Sequence, residues 1–224
     1  MNGDRERRPL AAFTVGKQGA PRSMYPDHPA IQVFDPLSEL LGTGSEPFIY
    51  TFDDAVKLAG HACPTIVGAF LLVKKALDIL YPDSLPQRGD IAVTLPGGVD
   101  EGTLGPISQV FTLITGAAAD NGFKGLGHHF GRMNLLRFQR GVGMSQTFTF
   151  ERIATGQKVR LGYSPHVFPP DPQLAQLLPL VLDHRATPEE RVTFGQLWRR
   201  RVETILADEG AHTITILPSS SPKG

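Results

Sequence analysis

From Pro64 to Tyr81 the apolar residues Ile66, Val67, Phe70, Leu71, Val73, Leu77 and Leu80 leave the chain almost no polar face. A helix that is apolar nearly all round has to be buried, and proline suits the first helical position. The pattern therefore predicts a central helix opening at Pro64. Just upstream, Thr51 followed by Asp53 and Asp54 reads as an N-cap with an acidic first turn, for a helix that Gly60 ends after Ala59. Ile91 to Leu95 reads as a strand before a Gly-rich turn (Gly97, Gly98, Gly102), and Pro106 to Ala118 as a third, rather apolar helix. Three strand candidates follow, Met133–Phe138, Thr147–Ile153 and Lys158–Tyr163, the last two alternating around Ala154-Thr-Gly156 in the manner of a hairpin.

Further on, Thr187-Pro-Glu-Glu190 is a capping box that opens a helix reaching Ala207, with Phe194, Leu197, Trp198, Val202 and Ile205 as its apolar stripe. Thr213–Leu217 could add a terminal strand. Residues 1–47 read as an N-terminal arm, first rich in Gly, Pro and Arg, then briefly amphipathic from Ala30 to Leu41 and closed by Gly42-Thr-Gly44. An ordered core is expected over 48–165. Past Pro165 the composition shifts to Pro and Leu, so 166–224 reads as a C-terminal helical extension packing on that core.

Hydrophobic residues make up 41% and charged residues 20%, as in an ordinary globular chain. Lys+Arg and Asp+Glu both count 22, which removes the basic surface a nucleic-acid partner would need and leaves self-association unopposed by net repulsion. One cysteine, Cys63, excludes an internal disulfide and suits a reducing compartment. No apolar run approaches the roughly 20 residues that span a bilayer. Arg7 and Arg8 raise the question of an export signal, but Leu10 to Gly16 is too short and too broken for its apolar core. These features together predict a cytoplasmic protein without a membrane or nucleic-acid partner.

The chemistry concentrates in two stretches. In His61-Ala-Cys63-Pro64 the cysteine stands where an N-cap would, and unpaired amides at a helix start favour a thiolate. His61 lies two residues away, and thiolate with imidazole is a usual pair for zinc. A lone cysteine is, equally often, an inert core residue. In Gly127-His-His-Phe-Gly131 the flanking glycines let the backbone approach a ligand, and in extended chain only one of His128 and His129 faces a common site. The plainer reading is a loop with two solvated histidines. Combined, the two stretches offer two imidazoles and a thiolate, with a fourth position open for water or substrate.

Asp100 and Glu101 could act as acid–base groups or simply decorate an exposed turn. Lys124 and Arg132 could bind an anion or be solvated loop charges, and Arg199-Arg-Arg201 reads as the wet face of its helix. His28, His166, His184 and His212 carry no motif. The chain has no P-loop, dinucleotide fingerprint, nucleophile elbow or haem-attachment motif.

At these stretches the chain resembles the FmdE-like family of formylmethanofuran dehydrogenase components. That family carries His-Gly-His-x-Cys-Pro-Gly, against Ala59-Gly60-His61-Ala62-Cys63-Pro64-Thr65 here. Its later Gly-Cys-Thr-Phe-Gly-Lys-Gly-Asn-Leu is similar to Gly127-His-His-Phe-Gly-Arg-Met-Asn-Leu135, which puts His128 where the family has its second cysteine. The helix ending Leu113-Ile-Thr-Gly116 also looks like the family's helix before that motif, with the family's Asp and Cys standing as Gln109 and Pro106. The likeness covers about residues 50–140.

The resemblance implies an α+β fold with a mixed, mainly antiparallel sheet and buried helices, assembled as a homodimer. It also implies zinc or another transition metal on His61, Cys63 and His128, open to a small-molecule ligand. Three alternatives stay open beside it. One is a metal-dependent enzyme with Asp100, Glu101 or His129 moving protons. Another is a non-covalent haem protein with Cys63 or a histidine as axial ligand. The third is an assembly factor that docks a partner through its arm and C-terminal helix.

Overall fold

The computed structural model describes residues 23–26, 28–140 and 147–218. Of the N-terminal arm, residues 1–22 and 27 lie outside the described residues, and with them Arg7, Arg8 and the stretch from Leu10 to Gly16. Where the arm is described, β1 (Ile31–Val33) leads through α1 (Pro36–Leu40) into β2 (Phe48–Tyr50), its antiparallel partner. Asp35 caps α1 by accepting from the Leu37 amide at 3.0 Å. α2 (Phe52–Ala59) begins at Thr51 with a capping box closed by Asp54, and stops at Gly60 because that residue takes the left-handed φ of 75°.

The apolar stretch after Pro64 is α3 (Pro64–Leu80), and Ile66, Val67, Phe70, Leu71, Leu72, Val73, Leu77 and Leu80 are all buried, as a helix without a polar face requires. β3 (Ile91–Leu95) is buried almost throughout and sits inside the main sheet. α4 (Leu104–Thr115) starts before the predicted Pro106, and it ends before Ala118 because Gly116 turns left-handed at φ 74° and breaks it. β4 (Leu136–Phe138) is shorter than the run from Met133, since Asn134 at φ 63° turns the backbone before the strand can form. It pairs with β3 in parallel.

β5 (Thr147–Arg152) and β6 (Gln157–Tyr163) form the hairpin expected around Ala154-Thr-Gly156, with Phe148 and Phe150 turned to the core and the alternate residues half-exposed. α5 (Pro172–Leu182), α6 (Pro188–Ala207) and β7 (Ile214–Leu217) complete the chain. α5 has no counterpart among the elements the pattern predicts, because proline at 172 and at 179 obscures a helix that Asp171 nevertheless caps.

The architecture is thus mixed α+β. One sheet runs in the order β4-β3-β5-β6-β7, with only the β3–β4 pair parallel, and β1 and β2 form a separate small sheet. α3 and α4 lie against each other and against the main sheet, and α6 packs on α3 through Val202, Ile205 and Leu206, which join the same core. Among the described residues no helix is long and apolar enough to cross a membrane.

The turn from α6 into β7 is tied by one carboxylate. Asp208 accepts from the amides of His212 and Thr213, from the Thr213 hydroxyl at 2.7 Å and from His212 Nδ1 at 2.6 Å. Burial would raise its pKa, but the Thr213 and His212 hydrogen bonds outweigh that and hold it at about 2. A carboxyl depressed in the folded state stabilises above its unfolded value, and this contribution disappears as pH falls through the folded one. From the ordinary value near 3.9 down to about 2, the protein should lose about 2 kcal/mol through this group. Urea midpoints measured between pH 5 and pH 2 should show that loss in the native chain and a shallower slope in Asp208→Asn. Parallel slopes would show that Asp208 is not the group responsible.

Candidate functional site

The turn between α2 and α3 is anchored by residues distant in sequence. The Ala62 carbonyl accepts from Trp198 Nε1 at 2.8 Å, and the Pro64 carbonyl accepts from the Tyr163 hydroxyl at 2.6 Å. Gly68 admits the Tyr163 ring, since a Cβ there would collide with it. Burial pushes the Tyr163 phenol well above its usual range, and the neighbouring Cys63 adds to the rise, so the hydroxyl stays a donor at neutral pH. Cys63 is extended, half-buried and packed against the hydrophobic core, with no cap hydrogen bond from its side chain. His61 is exposed, and its Nδ1 lies 3.0 Å from the Ala59 carbonyl oxygen.

The paired histidines are not in extended chain. Leu126 and His129 exchange backbone hydrogen bonds of 2.9 and 3.1 Å, so Gly127 and His128 are the two central residues of a tight turn. Gly127 at φ 60° supplies the positive φ that such a turn needs at its first central position. His128 is therefore an exposed turn tip, and His129 is exposed beside it, its ring 6.2 Å from that of Phe130.

These placements overturn the metal reading. Among the described residues no group of three or more His, Cys, Asp or Glu side chains could hold a metal ion. His61 turns back on its own helix end in solvent, Cys63 packs against the core, and His128 stands at a hairpin tip. The zinc or other transition-metal cofactor falls with that site, as do the metal ion as partner and the metal-dependent enzyme. The homodimer and the cytoplasmic location expected alongside the metal site are left without support.

Two other candidates resolve into structural pairs. Asp100 and Glu101 both bind Arg140, Glu101 at 3.0 Å, on an exposed turn. A backbone hydrogen bond of Asp100's own and the Arg140 guanidinium lower the Asp100 pKa, which disfavours it as a proton carrier at neutral pH. Arg132 is no solvated loop charge but 7% exposed, with Nη2 2.7 Å from Asp35 Oδ1. Arg88 joins from the other side, its Nε 3.1 Å from Asp35 Oδ2 but out of line for a hydrogen bond, and it donates to the Tyr50 hydroxyl and the Leu113 carbonyl.

A concavity lies elsewhere, between α4, the end of α2 and β4. Gly105, Ser108, Gln109 and Thr112 recur there at helical spacing and floor a cavity of about 600 Å³. Leu58 at the end of α2 and Val99 from the loop after β3 form part of its wall. The 119–121 segment supplies Asp120 and Asn121, and Leu136 and Phe138 of β4 lie opposite. The Ser108 hydroxyl is committed to the Gly105 carbonyl at 2.6 Å, whereas the Asp120 carboxylate makes no hydrogen bond or ion pair with a described residue. Neither Cys63 nor any histidine lines this cavity, so it offers no axial ligand of the kind the haem alternative required.

Sequence patterns do not betray this site because its residues are ordinary. The only local trace is the run of small and polar residues on one face of an otherwise apolar helix. Fold and site define an α+β protein with an open, mainly apolar cavity, whose Asp120 carboxylate has no partner among the described residues. No protein-family model matches the chain, and no curated protein gives a significant match to it.

Proposed function

We propose that this protein binds a small molecule in the α4 cavity, one with an apolar body and a cationic or hydrogen-bond-donating end. The observation that carries the reading is the cavity itself. Its volume of about 600 Å³ is in the range of small-molecule sites, its walls are mostly apolar, and its polar groups gather at Gln109, Asp120 and Asn121. Among the described residues Asp120 is the only charged side chain in the lining, so it selects for a ligand that brings positive charge or a donor.

A fluorescent arylmethylamine is a suitable probe, with the uncharged methyl analogue beside it. Both should bind saturably to the native chain. Thr112→Trp, which fills the floor of the cavity, should abolish both without changing the far-ultraviolet dichroism. Asp120→Asn should weaken the amine about tenfold, the scale of one charge-assisted contact, and leave the neutral analogue unchanged. Unaltered amine binding in Thr112→Trp would move the ligand out of this cavity.

The resemblance to the FmdE-like family stands beside this as a proposal about descent rather than activity. What supports it is placement: Gly60-His61-Ala62-Cys63-Pro64 opens the buried helix α3, and Gly127 to Leu135 leads into β4 across from α4. In that reading residues 48–165 are the shared core, and 166–224 are an addition packed on it through α6.

A further inference from the structure

Three consecutive arginines lie on α6, and among the described residues only the side chain of the first has a partner. Arg199 pairs with Glu203 at 2.7 Å and donates to the Met24 carbonyl. The Arg200 and Arg201 guanidinium groups make no hydrogen bond or ion pair with a described residue. Both line a second cavity of about 220 Å³, together with Phe168, Leu197, Asp171 and Thr204. Spacing explains why they meet there, since residues 197, 200, 201 and 204 fall on one face of a helix. The wet-face reading fits Arg200, which is exposed, but not Arg201, which is partly buried with its Nε cut off from solvent and without an acceptor.

On the inner side of α6 no described residue bonds the Arg201 guanidinium. The Tyr163 phenol there feels both Arg201 and Asp208 and is kept protonated by burial, while the Asp208 carboxylate is spent on the turn into β7. At the outer end, Asp171 already accepts from the Gln173 amide as the cap of α5, and the Thr204 hydroxyl is spent on the Arg200 carbonyl. Among the described residues that line this cavity, two guanidinium groups therefore face one carboxylate, an excess of one positive charge in a concave and partly apolar site. Guanidinium groups left without a described partner in a concave site are best completed by an oxyanion.

We propose that the cavity between α6 and the Phe168–Asp171 segment is an oxyanion site, in which Arg200 and Arg201 hold a small carboxylate or phosphate group. This site is separate from the α4 cavity and does not depend on what binds there. The group meets the guanidinium groups of Arg200 and Arg201 that line the cavity, while Phe168 and Leu197 supply apolar wall.

Calorimetric titration of the whole chain at constant ionic strength tests this, with inorganic phosphate in one arm, acetate in a second and chloride as reference. Phosphate, acetate or both should bind saturably near one equivalent, and the arm that binds identifies the group. Arg201→Gln should abolish the heat, and Arg200→Gln should weaken binding about tenfold, the loss of one charged contact. Arg200 is exposed, so its variant carries the test should Arg201→Gln fail to fold. Binding equal to that of chloride, or binding retained in Arg200→Gln at native strength, overturns the proposal.

Discussion

Asp35→Ala should lower the unfolding free energy by about 3 kcal/mol, because it leaves two guanidinium groups facing each other in a largely water-free site. Arg132 is almost wholly buried, and Arg88 and Asp35 are only slightly exposed. Burial already lowers the Arg132 pKa and Arg88 lowers it further, while Asp35 opposes both. The carboxylate also caps α1, so the change removes a helix cap together with a counter-charge. The consequences spread because the arginines come from two different loops. Arg132 leads from the 126–129 turn towards β4, and Arg88 is bonded to β2 through Tyr50 and to α4 through the Leu113 carbonyl. Gly89 is needed here, since its φ is 90° and a Cβ would run into the Arg132 guanidinium. Urea unfolding checks the magnitude. Asp35→Asn/Arg132→Met, which removes charge from both sides, should recover part of what Asp35→Ala loses. A drop below about 1 kcal/mol for Asp35→Ala would mean the cluster behaves as a solvated surface pair.

Phe111→Ala should cost about 3–5 kcal/mol, the scale for truncating a fully buried aromatic ring. Phe111 has no exposure and stands edge-on to Phe148 and Phe150 of β5, at ring-centroid distances of 5.6 and 5.1 Å. It pegs α4 to the sheet, and neighbouring residues of α4 floor the candidate ligand cavity. The same variant should therefore speed amide exchange along α4 more than along α3. Phe111→Leu, which keeps most of the volume, should lose much less. Equal exchange in the two helices would show that α4 is held from elsewhere.

Much of the local structure is legible in the chain. Thr51 and Thr187 each begin a helix with a capping box, Gly60 ends one, and the all-round apolar pattern after Pro64 marks the most buried helix. The alternation on either side of Ala154-Thr-Gly156 marks the hairpin. α5 is hidden because its prolines argue against a helix, although both stand where the fold tolerates them, with Asp171 as cap.

The site is far less legible, and His61, Cys63 and His128 show why. Each occupies a position that suits a ligand when read with its immediate neighbours, yet a metal centre depends on where three side chains point relative to one another. Trp198 and Tyr163, far along the chain, fix the Cys63 turn, and a positive φ at Gly127 puts His128 at a turn tip.

Caps, breaks and periodicities are interactions between residues a few positions apart, so the order of residues alone dictates where most elements begin and end. Juxtapositions are not local. Arg132 finds Asp35 across 97 positions, β4 joins β3 in parallel, and the polar stripe of α4 becomes a cavity floor only because α2 and β4 rise on either side. Those outcomes follow from how buried faces pack against one another, which no short stretch of chain encodes.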